Sequence, residues 1–454
     1  MRTNSEKKTI KRVSYIEEKL NRIPLEKLSK ESRFSKRKAK KIKAKDFLLG
    51  FFLMASSRES QSYQNWAIKI GWLIKDRVSK QALWKKMHQG QINFLKKTLS
   101  VLMLESLKSN MGYQITEKIK KFKNVIIEDS THIRLSDKLY AEYPGNGYWD
   151  KEAKKAILKV QASYNITRRN FIRLDITSFR KNDQGYSYKI AQIAKSGDLI
   201  IRDLGYFVLR VFQKMNYEGI YFISRLKKRV SVFSQKEETA IDLAKMLKKR
   251  GKLDIEVFLG EKEKLPVRLI AFPVEVAVAN ERRRKARINR DKRTHPNREH
   301  LYLLGWELFI TNVCKEILSS NDVAELYFIR WRIETIFKSW KSCFKITAIP
   351  REANKIRVES YIYCMLIFII LFQVHFYNYF LAKTKREPFR QRDREISLFR
   401  LMQFITSNIE FVLISLFRDG NLGEDFIFEQ INYHCLYESR YKRVNFYQKL
   451  SKLS

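Results

Sequence analysis

The sequence predicts a mixed α/β fold: a mixed sheet carrying a β-rich insertion, flanked by all-helical N-terminal and C-terminal regions. Three observations predict it. Residues 1–120 read as helical throughout. From 121 onward, short runs that alternate in polarity or are wholly apolar are separated by amphipathic segments. The 454 residues also hold 91 Lys and Arg against 48 Asp and Glu, a net charge of +43, with 44% hydrophobic residues. That is too apolar for a disordered basic tail, and at roughly 100–200 residues per domain it suggests two to four units with cores of their own. Self-repulsion at this charge asks for a polyanion, and nucleic acid is the leading candidate partner. A solely structural or small-molecule role is disfavoured.

At the N-terminus, Lys and Arg outnumber Asp and Glu 17 to 6 over residues 1–50, peaking at KRKAKKIKAK (36–45). The apolar run FLLGFFLMA (47–55) follows, and Trp66, Ile68, Ile70, Trp72 and Leu73 offer further core material. A basic surface on an apolar helical core suits a DNA-binding domain; the alternative is a solvated basic face with no specific ligand.

KNVIIEDSTHIRL (123–135) reads as a strand that ends at a turn-like Asp-Ser-Thr. ILKVQASYNI (157–166) and NFIRLDITSF (170–179) alternate over strand lengths, and the Thr-Arg-Arg-Asn between them predicts an antiparallel hairpin. SYKIAQIAKSG (187–197) is expected to be a helix with a glycine stop, and DLIIRDLGYF (198–207) a buried strand ending in a turn. VLRVFQKMNY (208–217) and GIYFISRLK (219–227) add a helix and a strand. This order, three strands and then helix, strand, helix, strand, is the layout of a ribonuclease H-like sheet.

A helix (237–250) and strands at 252–259 and 267–279 follow, then ERRRKARINRDKRTHPNREH (281–300), with nine Lys and Arg against three acids. The last is expected to be a solvated or nucleic-acid-tracking loop. LYLLGWELFITNV (301–313) returns to β character, and one long amphipathic helix is expected over 321–344. YIYCMLIFIILFQVHFYNYFLA (361–382) has no Lys, Arg, Asp or Glu and is long enough to span a membrane. Its Gln373, His375, Asn378 and tyrosines favour instead a buried core helix. The four cysteines have neither disulfide-framework nor zinc-ligand spacing, and the first residues lack an apolar export core. The expectation is a reduced, cytoplasmic protein without a membrane anchor.

Three acids sit where a metal site on strand ends would want them: Asp129 after VIIE, Asp203 after LIIR, and Glu334 in the 321–344 helix. Such carboxylates can hold two oxygen-seeking divalent cations for an in-line phosphoryl displacement. Any one of them alone is more often a turn residue, and Asp150, Asp175 and Asp183 read as loop or strand acids. On the helix, Tyr327, Arg330, Glu334 and Lys341 share a stripe about 60° wide beside the apolar face. An ordinary i,i+4 Arg–Glu pair accounts for two of the four.

The spacing Tyr-x2-Arg-x3-Glu-x6-Lys in YFIRWRIETIFKSWK resembles the signature of DDE transposases of insertion-sequence family four, with Asp129 in EDST and Asp203 in RDLGYF similar to the first and second acids of that family. The resemblance covers roughly 121–345. The interval from Asp203 to Glu334, 334 − 203 = 131 residues, exceeds what a bare ribonuclease H-like core needs and leaves room for the β-rich insertion typical of the family between the second Asp and the Glu. Trp306 lies 21 residues before Tyr327, 327 − 306 = 21, at the offset where a family member stacks a flipped base; an ordinary core or edge-strand aromatic is the alternative.

The resemblance implies a helical DNA-binding domain at 1–120, a ribonuclease H-like catalytic core at 121–227 and 307–345, an insertion at 228–306, and a helical region at 346–454 for packing or dimerisation. It implies cut-and-paste transposition through a hairpin end intermediate, with Asp129, Asp203 and Glu334 as catalytic residues binding two Mg²⁺ (or Mn²⁺). Tyr327, Arg330, Lys341 and Trp306 would contact DNA. The implied partners are double-stranded transposon ends and target DNA, within a homodimeric synaptic complex in the cytoplasm, at the nucleoid. The rivals are a domesticated nuclease and a catalytically inactive DNA-binding protein on the same fold.

Overall fold

The structure is a computed structural model that describes residues 13–35, 41–56, 61–108, 117–145, 154–234, 239–288, 296–349, 354–386, 396–418 and 421–436. Its strands are β1 (Val125–Arg134), β2 (Ile157–Asn165), β3 (Asn170–Ser178), β4 (Leu199–Arg202), β5 (Tyr221–Arg225), β6 (Val232–Phe233), β7 (Leu253–Leu259), β8 (Leu265–Pro273) and β9 (Trp306–Thr311). All nine join one sheet in the order β3-β2-β1-β4-β5-β9-β8-β7-β6. β4 runs parallel to β1 and β5 parallel to β4, whereas every other pair is antiparallel. The two parallel additions, β4 and β5, are short runs that are mostly apolar up to their last residues, as burial on both faces requires. The β2–β3 hairpin forms where alternation predicted it, turning through Arg169 at φ 52°.

β1 does not stop at Asp129. It continues through Asp-Ser-Thr to Arg134 because β2 pairs with it as far as Arg134↔Ile157. Only the parallel partner ends early, at Glu128↔Arg202. Where a helix was expected over 187–197, the chain forms a 3-10 turn (Ser187–Gln192), preceded by a short helical turn (Asp183–Tyr186).

The strand expected over 267–279 ends at Pro273, which lacks the N–H to extend a ladder, and the helix Val276–Arg287 begins just beyond. The basic segment is therefore helical where it is described, there and in Arg298–Leu303, with residues 289–295 outside the described part. Ala and Arg are good helix formers, and Glu281 pairs with Arg284 and Lys285 one turn on.

The helix expected as one rod over 321–344 is two, Ser320–Ile329 and Trp331–Ser342, which meet at Arg330. The first is opened by a capping box between Ser319 and Asp322. At the junction the bonds tighten to three-residue spacing: Arg330 N–H to Tyr327 O and Ile333 N–H to Arg330 O, each 3.1 Å.

The apolar run 361–382 lies within Lys355–Ile369, a π-helical turn Ile370–Phe376 and Tyr377–Arg386. It is long and apolar enough to cross a membrane, yet 89% of its most apolar window is buried in the protein. Its polar residues have internal partners: Trp340 Nε1 donates to Gln373 (2.8 Å), His375 Nε2 bonds the Leu102 carbonyl (2.9 Å), and Asn378 Nδ2 donates to Arg169 O (3.3 Å). Phe368 stacks on Phe52 of the N-terminal helix Ala44–Ser56, so both terminal regions share one core with the face of the sheet that carries Val125, Ile127, Leu199 and Ile201. Ile126, Ile200, Phe212 and Phe222 build the second core on the opposite face. Of the aromatic and aliphatic residues expected to supply N-terminal core, Trp66 and Ile70 are buried, but Ile68, Trp72 and Leu73 are exposed on the outer side of the helix Tyr63–Ile74. Residues 36–40 of the most basic run lie outside the described part.

Candidate active site

Alternation puts Asp129 on the same face as Val125 and Ile127. Asp203, the first residue after β4, continues the parity of Leu199 and Ile201. The two acids therefore follow directly on the last rung of the parallel ladder, where β4 leaves the sheet and β1 goes on with β2. Asp203 caps the 3-10 turn Leu204–Tyr206 by accepting from Gly205 N–H, and Asp129 accepts from Ser130 N–H at 2.8 Å.

The Trp331–Ser342 helix packs over this face, and Arg330 at its start reaches all three acids. Its Nη2 lies 2.8 Å from Glu334 Oε1, Nη1 3.6 Å from Asp129 Oδ2, and Nε 3.8 Å from Asp203 Oδ1. Only the first is a hydrogen-bond distance, and Nε has no hydrogen-bond partner among the described residues. Three carboxylates from three separate elements thus share one guanidinium.

A family model for the transposase DDE domain matches residues 120–369, more than half of the chain and the segment that holds all three acids. The chain belongs to the DDE transposase family. It is similar to the transposase for insertion sequence element IS1151 of Clostridium perfringens, at 28% identity over 380 residues, 78% of each chain. It is also similar to the transposase for IS231F of Bacillus thuringiensis subsp. israelensis, at 26% over 406 residues, 85% of this chain and 83% of the relative. A solved piggyBac transposase synaptic complex with hairpin DNA aligns over 93% of this chain and 83% of its own at 10% identity, with a TM-score of 0.43, a likeness too loose to bear on the fold.

In this transposase the Asp129 carboxyl titrates far from its ordinary range. Burial pushes it up to about 6, helped by the charges of Asp203 and Glu334 and opposed by the Ser130 N–H and Arg330. Among the described residues no three acidic, histidine or cysteine side chains stand close enough to ligate one ion. The guanidinium occupies the space between the carboxylates and stands in for a cation there. The donor set itself, three carboxylates and no softer ligand, is that of a hard divalent ion.

Lys341 lies one turn beyond Lys338 on the rim of an open cleft of about 520 Å³, lined also by Asp129, His132, Glu334 and Phe337. Tyr327 is placed differently from the other three residues of its stripe. It is only 2% exposed, with its ring against Phe309, and the guanidiniums of Arg225 and Arg330 lie 5.4 and 5.8 Å from that ring. Trp306 opens β9 opposite Pro273, half-buried beside Tyr302. Because Phe309 pairs with Arg225, the last residue of β5, Trp306 projects past the same end of the sheet as the two aspartates, two strands from Asp203.

Several residues at this end had no distinct sequence signal. Glu307 Oε1 accepts from both Arg225 Nη2 (2.8 Å) and Arg282 Nη2 (2.9 Å), tying the basic helix to the end of β5. Arg225 ends an apolar strand as Asp203 follows one, and that analogy was the only clue. Asp183, expected to be a loop acid, accepts from Ser130 Oγ, Lys159 Nζ and Gln161 Nε2 at 3.2, 3.0 and 2.9 Å, and so braces β2 against the residue next to Asp129. Asp175 pairs with Arg173 and Tyr186, and Asp150 lies outside the described residues.

Proposed function

We propose that this chain is the transposase of an insertion sequence of family four, which binds terminal repeats and moves its element by cut-and-paste DNA cleavage and strand transfer. The observation that carries the reading is the convergence of Asp129, Asp203 and Glu334 on Arg330. The order β3-β2-β1-β4-β5, antiparallel on one side of β1 and parallel on the other, supports a ribonuclease H-like core at 121–227 and 307–345. The strands β6 to β8 support an insertion at 228–306, and the helices at either end fit a DNA-binding region (1–120) and a packing or dimerisation region (346–454).

Asp129, Asp203 and Glu334 are the residues that would hold divalent ions, Mg²⁺ or Mn²⁺. Bound there, the ions would activate the attacking oxygen and stabilise the leaving one. The protein's own part is to present three ionised carboxylates, so Asp129 must shed its proton. With ions held by the carboxylates, Arg330 would be free to hold a phosphate with its bidentate fork, while Lys338 and Lys341 line the cleft as point charges. Tyr327 sets the reach of Arg330 by lying under it and can offer its hydroxyl to a phosphate only after opening. Trp306 is placed to stack on a base turned out of the DNA end, which suits a hairpin intermediate. Two ends cut together call for a homodimer, acting on cytoplasmic DNA at the nucleoid.

The test is incubation of purified protein with duplex DNA carrying the element's own ends and Mg²⁺. End cleavage is expected in the wild type and a loss of at least about a thousandfold in Glu334→Gln. Unchanged cleavage by that variant refutes the site. Products without a hairpin refute the role given to Trp306 while leaving the carboxylates in place.

A further inference from the structure

One residue before each aspartate, on the opposite face of the sheet, stands a charged residue with almost no access to water: Glu128 at 1% and Arg202 at 0% exposure. They are direct partners on the last rung of the parallel β1–β4 ladder. Arg202 Nε donates to Glu128 Oε2 at 2.8 Å, and its Nη2 donates to the Ser187 carbonyl at 2.8 Å. Ser163 Oγ, across the antiparallel β1–β2 pair, donates to the other Glu128 oxygen at 3.2 Å. The guanidinium lies 5.5 Å from the ring of Tyr206 and 6.0 Å from that of Phe212. A chain of polar contacts thus crosses three strands from Ser163 to the turn at Ser187, immediately behind the two acids.

Stability alone gives little reason for it. A buried ion pair barely recovers its desolvation cost, and well-packed apolar side chains often do as well. Geometry gives a better reason. β4 has only four residues, its other rungs are aliphatic and non-directional, and a slip of one residue along β1 would turn Asp203 to the wrong face. Directional bonds on the final rung resist that slip where it matters.

We propose that the Glu128–Arg202 pair is a positioning device, which pins the register of β4 on β1 so that Asp129 and Asp203 open onto one shared space. The proposal rests on the reading of those acids as a metal site. It assigns Glu128 and Arg202 no contact with DNA or metal; they act through the strands.

The test separates reach from charge in the full-length protein, with Mn²⁺ alone as the probe and calorimetric titration as the readout. Glu128→Gln keeps the length of the side chain and an acceptor for Arg202, so Mn²⁺ affinity should stay within about threefold of wild type. Glu128→Asp keeps the charge but withdraws it by about 1.5 Å, and affinity should fall about 10- to 100-fold, as for other supporting residues behind metal ligands. The paired variant Glu128→Leu/Arg202→Met, in which no buried charge is left alone, should unfold within a few degrees of wild type yet bind Mn²⁺ as weakly as Glu128→Asp. It decides the matter if Glu128→Asp does not fold. Wild-type Mn²⁺ affinity in the folded Glu128→Asp or paired variant overturns the proposal. Mn²⁺ uptake that is indifferent to Asp129→Asn and Asp203→Asn overturns the underlying site reading instead.

Discussion

At Arg330 one side chain balances three carboxylates that would otherwise repel one another across a partly dry space. Asp129 carries the cost of that arrangement. With its carboxyl raised to about 6 by burial, the folded protein holds a proton between about pH 4 and 6 that the unfolded chain has released, so stability falls as pH rises through this window and stays lower above it. In metal-free buffer at pH 7.5, Asp129→Asn should therefore raise the unfolding free energy by about 1–3 kcal/mol and the melting temperature with it, and the gain should vanish near pH 4. A thermal melt series checks this. His375 titrates with the opposite sign. Burial holds it down to about 4, so its contribution is intact above about pH 6.5 and is lost as pH falls toward 4. His375→Gln should flatten the acid limb of the stability profile that Asp129→Asn leaves behind. The three acids were legible in the sequence because each follows or lies in a recognisable element. The place of Arg330 among them was not, since i,i+4 spacing predicts its bond to Glu334 but cannot say which strands lie opposite. Tyr327 shows the same limit: spacing sets it near Arg330 along the chain, and its burial depends on Phe309, a residue of another element.

The two helices that meet at Arg330 show what periodicity reports well and what it misses. The apolar spacing runs through the junction, so the sequence predicted one rod; hydrophobic periodicity does not register a tightening of the backbone bonds. The first helix opens with a capping box between Ser319 and Asp322. Ser319→Ala should cost about 1 kcal/mol, seen as a small drop in melting temperature with Mn²⁺ affinity unchanged. The basic helix was misread as a loop because its charge density outweighed its helix propensity. Arg284, Lys285 and Arg287 are exposed on it. Changing all three to Ala should weaken binding to any DNA duplex, and should lower the slope of log affinity against log salt by up to about 3 if each side chain meets a phosphate. A slope equal to that of wild type would remove this helix from the DNA-binding surface.

Across the whole molecule, the apolar run 361–382 is the pier on which both terminal regions and one face of the sheet rest. Phe368→Ala should cost about 3–5 kcal/mol and release the N-terminal helices with the rest of the fold rather than separately, as a single calorimetric transition would show. Composition could say that this run was either core or membrane, and its polar residues pointed to core. What no local pattern could show was that Gln373, His375 and Asn378 would each find a partner from a distant part of the chain. The continuous sheet also exceeds what domain boundaries drawn along the sequence convey. β9, which begins at the last residue of the 228–306 segment, stands between β5 and β8, with Arg268↔Thr311 through Pro273↔Trp306 stitched along its outer side. Excising the segment would therefore not lift off a separate lobe. It would strip one flank of β9 and leave a raw seam of unpaired amides and carbonyls, ready to join the same seam on another copy. For this chain, shedding the graft and becoming sticky are the same event.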